Sequence, residues 1–334
     1  MKKVLLALMA IFGLGLSLLA VSCGGGGGGG GSDDYDTPVA GSGSTSTSIP
    51  AGFVAVSGAT FDGTTAITGS GVFIAGRSVT IRKLLACDHE VTQAEYQSVM
   101  GSNPSYFSSS PASGETQAKR PVEQVSWYDA IMFCNLRSKN EKLTPCYAVN
   151  GKTDTSQWNT INHIDDDGDD YIDEEDEVGS ITCDFAANGY RLPSEAEWEY
   201  LAMGGNLTNN DQTLYSGDND ITVVAWHNGT VPYALDGNSG SKTHEVKKKQ
   251  ANALGLYDMS GNVYEWCWDW FNYNMRIDPD TPVYGVSSSD RNSRVIRGGS
   301  WYFSAPYCSP GFRCDGSQDL RVDDLGFRVV RSAE

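Results

Sequence analysis

The sequence predicts an irregular α+β fold with short strands and a few short helices. Three features lead there. Apolar β-type runs of three or four residues are separated by Gly, Asp and Asn turns. Three helical stretches are short and carry their own start and stop signals. No internal repeat and no strand–helix alternation of the doubly wound kind runs along the chain.

The N-terminus comes first. Lys2 and Lys3 precede an apolar run from Val4 to Val21, which ends Leu19-Ala20-Val21-Ser22-Cys23. That ending resembles the lipobox of bacterial lipoproteins, in which Cys23 would be lipidated after removal of residues 1–22. A plain cleaved signal or an uncleaved membrane helix is the alternative, since a run of about 18 apolar residues is borderline for spanning. Acyl chains on one residue would hold the protein on a membrane, each buried methylene adding ~0.8 kcal/mol. The expected location is the bacterial cell envelope, lipid-anchored, at the outer membrane or the cell surface. Gly24–Gly31 is an unbroken glycine run, and Ser32–Pro50 continues in Ser, Thr, Gly, Asp and Pro. Such composition buries too little apolar surface to offset its ordering entropy. Residues 23–51 therefore read as a flexible tether and residues 52–334 as the folded domain.

Within that domain, Phe53–Val56, Ala59–Phe61, Gly71–Ile74 and Ser78–Ile81 are expected strands. In EVTQAEYQSVMG, Thr92 is an N-cap, Glu95 its capping-box partner and Gly101 the stop. In PVEQVSWYDAIMFCNLRSKN, Ser126 caps with Asp129 at the third position, and Trp127, Ile131 and Cys134 share one face. Cys134 thus reads as core. RLPSEAEWEYLAMGG gives a third helix, capped by Ser194 with Glu197 and stopped at Gly204. From Tyr257 to Trp270 aromatic and polar residues alternate, which predicts a strand with one heavily apolar face. Val295–Arg297 and Phe327–Val330 are two further expected strands. Between them lies RGGSWYFSAPYCSPGFRCDGSQDLRVDDLGFRVVR, whose middle is aromatic-rich and reads as exposed and irregular.

Composition excludes some functions. The net charge is -18 over 334 residues, and ten of the carboxylates fall within Asp165–Glu177. No basic patch exists to release counterions, so no nucleic-acid partner is expected. There is no CxxC, and the histidines (His89, His163, His227, His244) show no HxH or HExxH spacing. With Cys23 assigned to lipid, seven cysteines remain and their spacing names no pairs.

The acidic insertion, residues 163–178, contains a calcium-loop pattern. Asp165, Asp167 and Asp169 occupy positions 1, 3 and 5 of an EF-hand-like loop, Tyr171 position 7, Asp173 position 9 and Asp176 position 12. Asp170 stands where the turn Gly belongs, and Asp176 replaces the longer Glu. A structural calcium ion is expected, since so many adjacent carboxylates repel without a cation. The alternative is a solvated acidic insertion.

Six motifs occur in order: EVTQAEYQSVMG, PVEQVSWYDAIMFCN, YRLPSEAEWEYLAMGG, NALGLYDMSGNVYEWCWDW, RVIRGGSW and LGFRVVR. Together they resemble the formylglycine-generating enzyme (sulfatase-modifying factor) family over Gly52 to Arg331. The resemblance implies a variant of the C-type lectin fold. It also implies calcium at Asp258, Gly261, Val263 and Glu265, with a tight core turn as the alternative. Enzymes of the family oxidise a substrate cysteine using two copper-binding cysteines of the terminal segment. Here Cys308 matches the second, but Phe303 stands at the first, and Tyr264 replaces an active-site Trp. Copper and oxidase activity are therefore not expected, although Cys308 would carry the catalysis if they were present.

The chain also resembles the variable lipoproteins of diversity-generating retroelements, which share the fold. Their final segment is rewritten at Asn-type codons, which cannot yield Lys, Glu, Met or Trp, and none of these four occurs between Tyr302 and Asp324. This implies a ligand-binding face of Tyr302, Phe303, Ser304, Tyr307, Phe312, Asp315, Ser317, Leu320, Val322, Asp323 and Asp324. Aromatic rings offer rigid contact area there and small polar residues offer adaptable hydrogen bonds. The expected partner is an external protein or cell-surface molecule, and the expected function is binding rather than catalysis.

Overall fold

Two four-stranded sheets carry the fold, and the last forty residues contribute strands to both. The computed structural model describes residues 49–63, 71–158, 180–208, 212–231, 236–278, 280 and 293–333. In chain order, β1 (Phe53–Val56), β2 (Ala59–Phe61), β3 (Val79–Ile81) and β4 (Leu84–Cys87) precede α1 (Gln93–Met100) and α2 (Trp127–Asn140). Next come β5 (Tyr147–Val149), β6 (Ile181–Cys183), β7 (Tyr190–Arg191), α3 (Glu195–Ala202) and the single turn α4 (Ile221–Val224). The chain closes with β8 (Tyr264–Trp270), β9 (Ser293–Arg297), β10 (Cys314–Ser317), β11 (Leu325–Gly326) and β12 (Val330–Ser332). One sheet has the order β1-β4-β12-β7 and the other β10-β9-β8-β11. Residues 48–334 cluster as one compact unit.

All three long helices start on the capping boxes read from the sequence. Thr92 with Glu95, Ser126 with Asp129 and Ser194 with Glu197 exchange reciprocal bonds that satisfy two end N–H groups each. Gly101 ends α1 in the left-handed conformation. Trp127, Ile131 and Cys134 on α2 are fully buried, as their shared face required.

Four expectations need correction. Gly71–Ile74 is buried but forms no strand. Its backbone is satisfied by side chains instead: Val72 donates to Glu199 and accepts from Arg77. Residues 257–263 are a turn rather than strand, with Asp258, Gly261 and Asn262 at positive φ. In β8 the polar alternates are not on a wet face, because Glu265 and Asp269 are as buried as Trp266. Phe327–Val329 lies between two strands, β11 and β12, and only Val330 belongs to the second.

β8 is the spine of the core. The Trp266 indole donates to the Val125 carbonyl at 2.9 Å, and Trp127 on α2 donates back to the Cys267 carbonyl at 3.0 Å. Both rings are fully buried yet keep their N–H groups paired, which is how a core accepts Trp without an unsatisfied donor. On the other side of β8, Trp198 of α3 donates to Glu265 at 2.7 Å. These crossed bonds fix α2 and α3 to the strand that pairs with β9.

Candidate recognition face

The terminal segment leaves β9 through Gly298 and Gly299, at φ +100 and +72. A Cβ on Gly299 would lie 2.5 Å from the Cys308 sulfur, so only glycine lets the short 3-10 turn Ala305–Cys308 close on this corner. The segment then returns as β10, antiparallel to β9, and finishes in β11 beside β8. The middle is thus more ordered than its sequence suggests.

Its fixing points are buried. Arg313 forms a bidentate pair with Glu195 at 2.5 and 2.7 Å and donates to the Asn272 carbonyl. Arg297 pairs with Glu199 and donates to the carbonyls of Phe312 and Pro310 at 2.6 and 3.0 Å. Ser300 donates to Asp324 at 2.7 Å, and the Trp301 indole donates to the Asp323 carbonyl. Ser260 donates to the Cys308 carbonyl. Gln318 belongs to this framework too, since its backbone carbonyl accepts from Trp127 and its side chain from Arg294.

Outside these anchors runs a row of edge-on rings. Phe107, Trp301, Tyr302, Phe303, Tyr307 and Phe312 follow one another with centroids 4.9–5.5 Å apart. Tyr106 extends the row beyond Phe107 at 5.0 Å. Edge-to-face contacts at this spacing each add about 0.5–1.5 kcal/mol beyond area burial, so the row is stiff. Tyr106 and Tyr302 stand out at 66% and 57% exposure.

The residues expected to form a ligand-binding face divide in three. Tyr302, Asp315 and Ser317 are exposed, with Pro306, Asp319 and Arg321 beside them in sequence and equally exposed. Phe303, Tyr307, Phe312, Leu320, Val322, Asp323 and Asp324 are half-buried. Ser304 is the correction: it is buried, and its hydroxyl lacks a hydrogen-bond partner among the described residues. Burial pushes the Asp324 carboxyl up to about 6 despite the Ser300 hydrogen bond. Tyr106 and Phe107 were not foreseen. The only local signal is a pair of adjacent aromatics in the Ser-, Asn- and Pro-rich stretch SNPSYFSSS.

The chemistry of an oxidase is poorly served here. Cys308 is fully buried, burial pushes its thiol up to about 12, and its sulfur lies 3.9 Å from the Ser304 carbonyl. Phe303, matched by the resemblance to the first copper-binding cysteine, packs its ring edge-on against Tyr264 at 5.2 Å. Cys314 is half-buried, with its thiol pushed up to about 11, also by burial.

The calcium residues fit only in part. Asp258 is buried; one oxygen accepts from the Lys247 backbone N–H at 2.8 Å and the other has no hydrogen-bond partner among the described residues. Burial pushes this carboxyl up to about 6. Glu265 does not fit the ligand set, because both its oxygens accept from Arg328 at 2.6 Å and one also from Trp198. A guanidinium seated on the carboxylate repels a second cation. Between them, Glu90 accepts from the Asn262 side chain and the Val263 N–H. Among the described residues no three His, Cys, Asp or Glu side chains converge as a metal set. Gly261 sits in the turn at φ +77, and the acidic loop with Asp165, Asp167, Asp169, Tyr171, Asp173 and Asp176 lies outside the described residues, as do Cys23 and His163.

This fold and this terminal segment have relatives. Residues 35–333 match the sulfatase-modifying factor enzyme 1-like domain. The chain belongs to that family. It is 37% identical over 266 residues to the chaperone protein LppX of Paenibacillus barcinonensis, covering 77% of this chain and 82% of that protein. It is 38% identical over 157 residues to the formylglycine-generating enzyme of Mycobacterium tuberculosis, covering 42% of this chain and 51% of the enzyme. The chain thus spans about half the length of that enzyme. Among solved structures, Treponema denticola variable protein 1 superposes with a TM-score of 0.65 at 36% identity, over 84% of this chain and 95% of that one. CarF superposes at 0.61 with 26% identity, over 86% of this chain and all of CarF. The family expected from the six motifs, and the resemblance to variable proteins, both stand.

Proposed function

We propose that this member of the family is a lipid-anchored envelope protein that binds an external ligand through residues 302–324 and does not catalyse oxidation. One observation carries the reading: Phe303, which the resemblance matches to a copper-binding cysteine, is built into the aromatic row. A phenyl ring cannot ligate copper, and a thiol as buried as Cys308 stays protonated at neutral pH. The likeness to a protein named for its variability supports the binding half of the proposal. The relative named LppX supports its family placement along most of the chain.

The ligand is a protein or another cell-surface molecule, and the anchor is the lipid on Cys23. No helix among the described residues is long and apolar enough to cross a membrane. Metabolic labelling with palmitate checks the anchor: the protein should take up the label and enter the detergent phase, and C23S should abolish the labelling. Calcium belongs to the proposal in a structural role. It would be held by the Asp165–Asp176 loop, and by Asp258 with the backbone carbonyls of Gly261 and Val263.

Copper titration tests the proposal against the oxidase reading. Purified full-length protein in detergent should bind Cu(I) no more tightly than its C308S variant and should leave a cysteine peptide unoxidised. Tight, Cys308-dependent binding with turnover would make the protein an oxidase.

A further inference from the structure

Tyr106 lies almost two hundred residues before Tyr302 in the chain, yet both rings belong to one row. The loop that presents Tyr106 is held from below. Glu123 is fully buried, and its two oxygens accept the backbone N–H groups of Tyr106 and Phe107, each at 2.9 Å. The Phe107 carbonyl accepts from Gln93 at 3.2 Å and Gln117 at 2.6 Å, and Arg120 donates to the Ser109 carbonyl. Arg120 also lies over the Phe107 ring at 5.1 Å. A buried carboxylate and a buried guanidinium are costly to desolvate. Here they rigidify a loop whose uppermost side chain is a tyrosine facing solvent. A preorganised exposed aromatic suits binding, because its ordering cost is met before the partner arrives.

The unpaired exposed charge of the terminal segment is acidic. Arg313 and Arg321 are the segment's only cations, and they are spent on Glu195 and Asp129. Asp315 and Asp319 are exposed, and Asp323 sits under Trp301. Exposed rings attract cations through the ring quadrupole, and exposed carboxylates on the same segment attract them through Coulomb attraction. Tyr106 and Tyr302 are the exposed rings of the row, so two cationic side chains can be engaged.

Resting on the reading of residues 302–324 as a recognition face, we propose that the loop Ser105–Phe107, outside that segment, is part of the face and that the partner is a Lys- or Arg-rich protein segment. Tyr106 and Tyr302 cap its cationic side chains, and Asp315 and Asp319 supply the countercharge.

Fluorescence anisotropy with the full-length protein in detergent tests this, using labelled Arg-Ser, Glu-Ser and Gly-Ser repeat peptides. The Arg-Ser peptide should bind about tenfold or more tighter than the Gly-Ser peptide. That binding should weaken as salt is raised. Tyr106→Ala and Tyr302→Ala should each weaken it roughly threefold to tenfold. The double variant Asp315→Asn, Asp319→Asn should flatten the salt dependence. Both tyrosines are exposed, so loss of the fold would not explain these losses; circular dichroism of each variant checks it. Equal affinity for the three peptides, binding unchanged by Tyr106→Ala, or no binding at all overturns the inference. A Tyr302-dependent preference for the Gly-Ser or Glu-Ser peptide overturns the cationic partner while leaving the recognition face standing.

Discussion

Arg313 grips both carboxylate oxygens of Glu195 at 2.5 and 2.7 Å, tying the middle of the terminal segment to the first turn of α3. Both side chains are almost wholly buried. The segment therefore has two kinds of position. Some hold it to the scaffold, and others face outward with little packed beneath them.

That division predicts stability. Removing one partner of a buried ion pair strands the other's charge and costs about 3–5 kcal/mol. Arg313→Ala and Glu195→Gln should each lose that much in urea unfolding. Asp315→Ala and Ser317→Ala, on exposed side chains, should stay within about 0.5 kcal/mol. Equal losses across the four variants would mean that frame and face are not distinct.

Calcium is open to a direct measurement. If Asp258 ligates the ion through its unpartnered oxygen, chelation should lower Tm, and Asp258→Asn should remove part of that response. Glu265→Gln should instead lower stability equally with and without calcium, because its partner is Arg328. A Tm indifferent to chelator in the native protein would exclude a structural calcium from both sites.

The pH dependence has a definite sign. Burial raises five carboxyls among the described residues: Glu90 well above its ordinary value, Glu123 and Asp269 to about 7, Asp258 and Asp324 to about 6. A raised acid binds its proton more tightly when folded than when unfolded. Its stabilisation is complete below the unfolded value of about 4 and is lost as pH rises through the folded one. Glu95 works in the opposite sense. Burial opposes its ionisation, but the His89 hydrogen bond prevails and holds it at about 2, so its contribution is lost only in stronger acid. Tm should accordingly fall between pH ~4.5 and ~7, and Asp269→Asn should shrink that fall. A Tm that climbs over the same range would contradict these burial effects.

Local signals were legible in the sequence, and distant pairings were not. The three helix starts follow from caps and partners three residues apart, such as Ser194 and Glu197. The six ordered motifs carried the family. Glu265 was misread because its partner Arg328 lies 63 residues away, and nothing nearby in sequence announces a guanidinium against it. Gly71–Ile74 looked like a strand because its apolar run gives no hint that Glu199, 127 residues on from Val72, satisfies the backbone. Tyr106 was missed for the same reason, since its place beside Trp301 is a product of tertiary packing through Phe107.

The alphabet of residues 302–324 has a structural counterpart. Gln318, a type that adenine changes in an Asn codon cannot produce, is held by Trp127 and Arg294 within the frame. Cys308 beneath Gly299 is equally constrained. Deep sequencing of the gene from one bacterial culture measures the central claim. Substitutions should gather at the exposed positions Tyr302, Pro306, Asp315, Ser317 and Asp319 and be scarce at Gly299, Cys308, Arg313 and Gln318. Substitutions spread evenly along the gene, or as common at Arg313 and Gln318 as at Tyr302, would contradict a diversified recognition face.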